Sequence, residues 1–315
     1  MVAAAVASSK YIMPVHLPPI SRREFLKRAA LIGAGAAPGL RTFAALSGKT
    51  RDENSFALFS DMHIAADAGL DSRGVNMARN LAAAMGDLAA LDRLPGAVFF
   101  NGDLAFKNGA PGDYETFAGL IAPARATGVH LLLGNHDQRD HFWTAFPREA
   151  AEISPMPDRQ ASVVDTNRAY WFMLDSLDVT DAAPGLLGAG QLAWLGRELE
   201  ARRDKPVIIM AHHNCELPGQ TAGLKDSDAF LPLISQHRQV KAFIFGHTHD
   251  WSVEQHSSGV HFINLPPVAY VFKAGRPSGW VGAELERGGL KLELRCLDAS
   301  HPENGTIKHL KWRAA

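Results

Sequence analysis

Metal-binding side chains follow five short apolar runs of this 315-residue sequence. The five motifs are Asp61-Met62-His63, Asn101-Gly102-Asp103, Gly134-Asn135-His136-Asp137, His212-His213 and Gly246-His247-Thr248-His249. Each apolar run is typical of a β-strand, and open α/β sheets bind ligands beyond the carboxyl ends of their strands. We therefore expect the five motifs to converge in one crevice.

Seven side chains in these motifs are candidate metal ligands: Asp61, His63, Asp103, Asn135, His212, His247 and His249. Residues i and i+2 of an extended segment project to the same side, so each Asp-x-His or His-x-His pair can address one ion or two neighbouring ions. Four imidazoles, two carboxylates and an amide oxygen suit Zn, Mn or Fe rather than Cu(I) or an iron–sulfur cluster. Because the two oxygens of Asp103 can bridge two cations, the set predicts two metal ions.

The elements that must position these ligands alternate between strands and helices, which predicts an α/β fold. The predicted strands are Phe56–Ser60, Ala97–Phe100, Val129–Leu133, Ala169–Leu174, Val207–Ala211, Ala242–Phe245, His261–Leu265, Trp280–Glu286 and Leu290–Leu297. The predicted helices are Arg73–Leu91, Tyr114–Thr127, Ala189–Arg202 and Asp228–His237, and Pro147–Pro157 is predicted to be a loop. The last third is rich in strands, so we expect the second half to add a second sheet.

The order of the motifs, D-x-H, G-D, G-N-H-D, H and G-H-x-H, resembles the calcineurin-like metallophosphoesterase superfamily. The resemblance implies a four-layer αββα sandwich of two mixed β-sheets flanked by helices. It also implies that Asp61, His63, Asp103 and His249 hold one metal ion, that Asp103, Asn135, His212 and His247 hold the other, and that His136 is the acid near the leaving group.

Two further stretches resemble the branch of bacterial cyclic-nucleotide and glycerophosphodiester phosphodiesterases. They are residues 134–142 with Phe146, and Gly185-Leu186 leading into Gln191–Leu195. The purple acid phosphatase branch has a tyrosine three residues after the bridging aspartate, where this chain has Phe106. Cys215 ends the block that begins at His212, and that block lacks the proline that many relatives carry.

The ligand inventory predicts hydrolysis of a small phosphoester, with a phosphodiester favoured. Two cations roughly 3.5–4 Å apart lower the pKa of a bridging water, so a hydroxide rather than a side chain is the expected nucleophile. His136 is the candidate to protonate the departing alkoxide, and Asp137 the candidate to fix the loop or the ring. Arg139 is a candidate phosphate contact, although an ion pair is the commoner role for such an arginine.

The N-terminal segment resembles a twin-arginine export signal. Ser21-Arg22-Arg23-Glu24-Phe25-Leu26-Lys27 precedes a weakly apolar run with glycines, and small residues follow at Ala44 and Ala45. We expect residues 1–46 to be the signal peptide and residues 47–315 the phosphoesterase domain. The predicted partner is then the twin-arginine export machinery, and the predicted location is the periplasm or the exterior.

The net charge, the length of the longest apolar run and the number of cysteines argue against several classes of protein. Residues 47–315 hold 26 basic and 32 acidic residues, and this net charge of −6 argues against a nucleic-acid partner. The longest apolar run, Ala29–Leu40, is too short to span a bilayer, so no stable membrane insertion is expected. Two cysteines, Cys215 and Cys296, cannot make a disulfide framework, and their pairing stays open.

Two alternatives use the same ligands. A phosphomonoesterase or nucleotidase would share the metal ions and differ only in the substrate pocket. A metal-binding sensor without turnover is disfavoured because the ligand set is complete and His136 is present. The substrate-binding side chains are expected in loops without motifs, at Asp67–Arg73, Ala105–Asp113, Glu216–Asp226 and Pro266–Pro277.

Overall fold

Two mixed β-sheets form the centre of the fold in the computed structural model, which describes residues 16–17, 49–147, 156, 158–216 and 221–314. The strands are β1 (His16–Leu17), β2 (Arg51–Phe59), β3 (Asp71–Ser72), β4 (Val75–Asn76), β5 (Leu94–Asn101), β6 (Gly128–Leu132), β7 (Ser162–Asp165), β8 (Tyr170–Met173), β9 (Val207–Met210), β10 (Val240–Phe245), β11 (Ser252–Gln255), β12 (His261–Asn264), β13 (Gly279–Glu286), β14 (Gly289–Cys296) and β15 (Ile307–Lys311). The helices are α1 (Met77–Ala90), α2 (Pro111–Leu120), α3 (Arg139–Ala145), α4 (Ala189–Ala201) and α5 (Ser227–Gln236), with a 3₁₀ turn at Ala122–Ala126.

The larger sheet has seven strands in the order β1-β6-β5-β2-β13-β14-β15. Strands β6, β5 and β2 are parallel, and the remaining neighbours pair antiparallel. The second sheet has six strands in the order β11-β12-β10-β9-β8-β7, with four parallel strands between antiparallel edges. Strands β3 and β4 form a separate hairpin.

Three apolar layers hold the sheets and helices together. Alternate residues of a strand face opposite sides, and in β2 Phe56 and Leu58 face the second sheet while Ala57 and Phe59 face α1 and α2. Helices α4 and α5 cover the far side of the second sheet, where Trp194 and Phe230 pack. The order helix, sheet, sheet, helix is the αββα sandwich that the resemblance implies.

The nine predicted strands are all present with shifted ends, but the helix predicted over Arg73–Leu91 begins later. Arg73 and Gly74 have φ angles of 51° and 81° and form the two-residue turn of the β3–β4 hairpin. The helix begins after Asn76, whose side chain accepts a hydrogen bond from the Arg79 amide at 2.7 Å.

The helix predicted over Tyr114–Thr127 is two elements. Pro111 occupies the first turn of α2, where a missing N–H has no consequence, so the helix begins earlier than predicted. It ends at Leu120, and a 3₁₀ turn that contains Pro123 follows.

The second half supplies the second sheet, as expected, but its last strands do not belong to it. Strands β13, β14 and β15 return to the larger sheet and extend it beside β2. Seven elements, α3, β1, β3, β4, β7, β11 and β15, were not predicted. Most of the predicted loop Pro147–Pro157 lies outside the described residues.

Within the part of the chain that the structure describes, no helix has the length and apolar character needed to cross a membrane. Cys215 and Cys296 are both free thiols. Cys215 is buried, and this burial raises the pKa of its thiol to about 12.

Candidate metal centre

The five motifs meet at one edge of the sandwich, between the two sheets. Strands β2, β5 and β6 of the larger sheet end just before Asp61, Asp103 and Asn135. Strands β9 and β10 of the second sheet end just before His212 and His247. The site is therefore built at the carboxyl ends of parallel strands from both sheets, as the strand pattern predicts.

Six of the seven predicted ligands form two clusters that share Asp103. One contains Asp61, His63, Asp103 and His249, the other contains Asp103, His212 and His247, and in each the ligand atoms lie within 4.8 Å of one another. The Asp103 Oδ2 atom lies 3.5 Å from His63 Nε2 and 3.3 Å from His212 Nε2. This carboxylate is thus placed to bridge two ions.

Asn135, the seventh candidate ligand, lines the same cleft as residues of both clusters. Its Oδ1 atom and the Nε2 atom of His212 are both buried and have no hydrogen-bond partner. A buried polar atom without a partner costs about 1–3 kcal/mol, so a water molecule or an ion bound at these two atoms would stabilise the site. The arrangement fits two metal ions, and the two residue sets that the family resemblance implies are the candidate ligands.

The outward ring nitrogens of three ligand histidines are fixed by backbone carbonyls. Nδ1 of His63 lies 3.2 Å from the Phe106 oxygen, Nδ1 of His212 lies 2.8 Å from the Asn101 oxygen, and Nδ1 of His249 lies 2.5 Å from the Tyr270 oxygen. A carbonyl can only accept, so each Nδ1 carries the proton and leaves Nε2 free to bind a cation.

Five of the ligand residues have left-handed backbone conformations. Their φ angles are 55° for Asp61, 49° for His63, 50° for Asp103, 66° for His247 and 53° for His249. Only two other non-glycine residues among the described ones, Arg73 and Asp181, have positive φ. Aspartate and histidine tolerate this region better than most residues, and such strain is concentrated at functional sites.

Backbone hydrogen bonds hold the ligand loops against one another. The Asp61 amide donates to the Gly102 oxygen at 3.2 Å, the His63 amide donates to the Asp103 oxygen at 2.9 Å, and the Gly246 amide donates to the His212 oxygen at 2.9 Å. Gly134 and Gly246 allow close approaches between these loops, because a Cβ at either position would overlap Asp103 Oδ1 or Ser60 Oγ, respectively.

Burial and charge shift the ligand pKa values in opposite directions. Burial lowers the pKa values of His63 and His247 to about 4, which keeps both rings neutral, as a ligand must be. Burial also opposes charge on His212, but the carboxylates of Asp103 and Asp61 outweigh it and raise the pKa to about 9. His212 therefore has to release this proton before its ring nitrogen can bind a cation.

Asp137 holds the ligand loops rather than the His136 ring. Its buried carboxylate accepts hydrogen bonds from the amides of Leu104, Ala105 and Gly134 and from the hydroxyl of Tyr114, at 2.9–3.2 Å. Burial and the nearby Asp103 charge raise the pKa of Asp137 to about 7.

The His136 ring stands beside the two clusters and is partly exposed. Its Nδ1 atom lies 2.7 Å from the Lys107 oxygen and 3.3 Å from Asp181 Oδ1, and its backbone amide donates to Asp103 Oδ1 at 2.9 Å. The ring packs edge-on to His63 with the centroids 5.1 Å apart. The ring nitrogen Nε2 is left available at the cleft.

Arg139 is engaged away from the centre, unlike the predicted phosphate contact. Its guanidinium donates to both carboxylate oxygens of buried Asp175 at 2.8 and 3.0 Å, and also to the Leu177 oxygen. These contacts commit the Nε and Nη2 donors of the guanidinium to the protein. The ion-pair alternative is the one that the structure shows.

A cleft of about 710 Å³ opens over the centre, and its lining includes His63, Asp103, Asn135, His136, His247 and His249. All four loops in which substrate-binding side chains were expected contribute to its walls. They supply Arg73, Lys107, Thr221, Tyr270 and Phe272, and no motif marks these positions. Tyr270 stacks on His63 and His249 at centroid distances of 5.2 and 4.8 Å.

Fold and centre together define a binuclear metal-dependent phosphoesterase. Residues 55–251 match the calcineurin-like phosphoesterase family, and the chain belongs to that family.

Comparisons with individual proteins agree with this family. The chain is 29% identical over 241 residues to a probable cyclic nucleotide phosphodiesterase of a Synechococcus species, covering 75% of this chain and 89% of the relative. It is 27% identical over 238 residues to a 3′,5′-cyclic-nucleotide phosphodiesterase of a Nostoc species, covering 73% and 84% of the two chains. A dimetal phosphatase from Danio rerio shares the fold, with a TM-score of 0.63, 16% identity and coverage of 82% and 99%.

Proposed function

We propose that the protein hydrolyses a small phosphodiester at this centre, and that the diester is a 3′,5′-cyclic nucleotide. The observation that carries the proposal is a complete two-ion ligand set that shares Asp103, with His136 beside it and not among the ligands. The similarity to named cyclic-nucleotide phosphodiesterases supports the choice of substrate.

Metal ions bound by these ligands supply an acidified water molecule and offset negative charge on the phosphoryl oxygens. The chain's own residues do the rest. Asp103 fixes the separation of the two clusters, and the loop amides that Asp137 organises keep Asn135 and His136 in place. His136, whose ring is oriented through Nδ1, delivers a proton from Nε2 to the departing alkoxide oxygen.

Fe, Mn and Zn are the metals we propose. Imidazole nitrogens and carboxylate or amide oxygens, without a thiolate, make a donor set of intermediate hardness. The free thiol of Cys215 lies outside both clusters. Elemental analysis of the purified protein identifies the ions that it carries.

We propose that residues 1–46 direct export through the twin-arginine pathway and that the mature protein acts in the periplasm or outside the cell. The support is the sequence alone, since Arg22 and Arg23 lie outside the described residues. Replacing both arginines by lysine is expected to abolish export, as measured by cell fractionation. Retained export would contradict the proposal.

The test of function compares hydrolysis of 3′,5′-cyclic AMP with hydrolysis of 5′-AMP by purified protein of known metal content. We expect diester hydrolysis to dominate and the Asp103→Ala variant to lose at least 100-fold in rate, roughly the effect of losing a bridging ligand. A preference for the monoester would establish a phosphomonoesterase instead. Bound metal without turnover of either compound would favour a sensor.

A further inference from the structure

Phe272 is an exposed aromatic residue placed directly on a metal ligand. Its ring stacks on His249 with a centroid distance of 4.2 Å and an angle of 21°, yet 55% of the residue remains exposed. Single exposed apolar residues are common on protein surfaces. Phe272 differs because it lines both the cleft over the centre and a neighbouring cavity of about 380 Å³. A group bound in either space can therefore contact this ring.

Arg73 lies beside the same ring. Its guanidinium carbon lies 5.2 Å from the ring centroids of both Phe272 and Tyr270. It interacts with the Tyr270 hydroxyl as well, and no carboxylate among the described residues lies within 4.0 Å of it. The positive charge of Arg73 therefore lies beside two aromatic rings and lines the cleft.

The backbone at Arg73 is strained. Its φ of 51° belongs to a hairpin turn position where glycine, asparagine or aspartate is favoured. Arginine is not among the residues that favour this turn, so the turn alone does not account for it.

The cleft thus has two chemically different halves. One is the metal centre, which takes a phosphoryl group. The other is a platform formed by Phe272, Tyr270 and Arg73, whose aromatic rings stack on the metal ligands His63 and His249. The alcohol portion of a substrate can reach the platform when its phosphoryl group lies at the centre, because both line the same cleft.

We infer that this platform is the nucleobase subsite, in which a planar heterocycle stacks on Phe272 beside the Arg73 guanidinium. The inference rests on the proposed function and deepens it, because it selects phosphodiesters of nucleosides over those of glycerol or other aliphatic alcohols. Stacking on aromatic rings and on guanidinium planes is the general way in which proteins hold unpaired bases.

The test measures binding of 5′-AMP and of ribose 5-phosphate to the metal-loaded protein by isothermal titration calorimetry. The two probes share the phosphate and the sugar and differ only in the base. We expect 5′-AMP to bind roughly tenfold or more tightly, the effect of one stacked base. Phe272→Ala is expected to remove this preference and leave ribose 5-phosphate binding unchanged, whereas Phe272→Tyr retains the preference.

Ile307, 51% exposed on β15 and absent from the cleft lining, gives the matched control, and Ile307→Ala should change neither affinity. Equal affinity of the wild-type protein for the two probes would overturn the inference. An equal loss for both probes in Phe272→Ala would also overturn it, because it would show that Phe272 only supports His249.

Arg73→Asn tests the second part of the platform. Asparagine tolerates the turn conformation, so the hairpin is kept and the guanidinium is lost. We expect weaker 5′-AMP binding, by several-fold, and unchanged ribose 5-phosphate binding. An equal loss for both probes would make Arg73 a phosphate contact and would remove it from the base subsite.

Hydrolysis of 3′,5′-cyclic AMP, measured on the same preparations, separates the two proposals. Hydrolysis without a base preference rejects the platform and keeps the phosphodiesterase. A base preference that depends on Phe272, without hydrolysis, keeps the platform and rejects the phosphodiesterase.

Discussion

At the scale of single residues, His136 and the metal ligands have separable roles. His136 contributes no atom to either cluster, and its ring is oriented by the Lys107 oxygen and Asp181. His136→Gln should therefore keep both metal ions. We expect it to slow hydrolysis of an alkyl diester by about 10²–10⁴, because general acid catalysis contributes on that order.

A diester with an acidic aryl alcohol provides the control, because that alcohol leaves without a proton. Its hydrolysis should fall much less in His136→Gln than hydrolysis of the alkyl diester. Equal losses on the two substrates, or a loss of bound metal, would refute the proton-donor role.

Arg139 differs from His136 because its contacts are structural. Arg139→Ala leaves the Asp175 carboxylate buried without its guanidinium partner, which should lower the free energy of unfolding by about 3 kcal/mol. The KM of the folded enzyme should not change. Urea denaturation and steady-state kinetics measure both quantities, with exposed Arg287→Ala as the control. A raised KM at unchanged stability would restore the predicted substrate contact.

At the scale of elements, Arg313 links the last strand to the second sheet and to α5. The chain leaves β15 in the larger sheet, and the Arg313 guanidinium then donates to five carbonyl oxygens, those of Ile234, Ser235, His237, Val240 and Ser258, at 2.6–3.1 Å. Three of these residues lie at the C-terminal end of α5 or just beyond it, where carbonyls lack helical partners.

Arg313→Ala should therefore destabilise the protein by about 3 kcal/mol, since several buried acceptors lose their donor. Chemical denaturation measures the change, and the exposed Arg287→Ala variant should stay within about 0.5 kcal/mol of wild type. Similar stability for the two variants would show that the C-terminal link contributes little.

The elements also show what the sequence could and could not predict. The convergence of the candidate ligands was predictable because their motifs come soon after buried strands, and strand ends such as Phe59 and Phe245 are visible as apolar runs. The helix start at Met77 was missed because the strained turn at Arg73 is not encoded by glycine or asparagine at its first position. Phe272 was missed because its contact with His249 depends on a loop that is brought in by distant strands.

Strand β15 and the return of β13 and β14 to the larger sheet were unpredictable for a related reason. Their alternating patterns specify strands, but which sheet they join depends on long-range pairing, such as that of Val281 with Leu58. The residues within each strand do not determine which of the two sheets it joins.

At the scale of the whole molecule, the two sheets are joined at the site through its ligands. Asp61, Asp103 and Asn135 come from the larger sheet, and His212, His247 and His249 follow strands of the second. Ions bound by these residues would therefore connect the two sheets. This connection would exist only in the folded state. Removing them with a chelator should lower the melting temperature as well as abolish activity.

Returning Mn²⁺ or Zn²⁺ should raise the free energy of unfolding by about 2.7 kcal/mol at a hundredfold excess over Kd. The melting temperature should rise with the metal concentration accordingly. Differential scanning calorimetry measures the response. Asp103→Ala should respond less, because it lacks the shared ligand. A melting temperature that does not depend on metal would show that the centre adds nothing to the cohesion of the sheets.

The left-handed backbone at five ligand residues has a consequence for how this protein can change. A non-glycine residue in that conformation costs roughly 1 kcal/mol relative to glycine, so the metal-free His247→Gly protein should be more stable than the metal-free His247→Ala protein, because both lose the ring and only glycine relieves the backbone. Thermal melts of the two metal-free proteins measure that difference. Backbone strain by itself favours glycine at these positions, so the chemistry of the centre, rather than the stability of the fold, accounts for the aspartates and histidines found there.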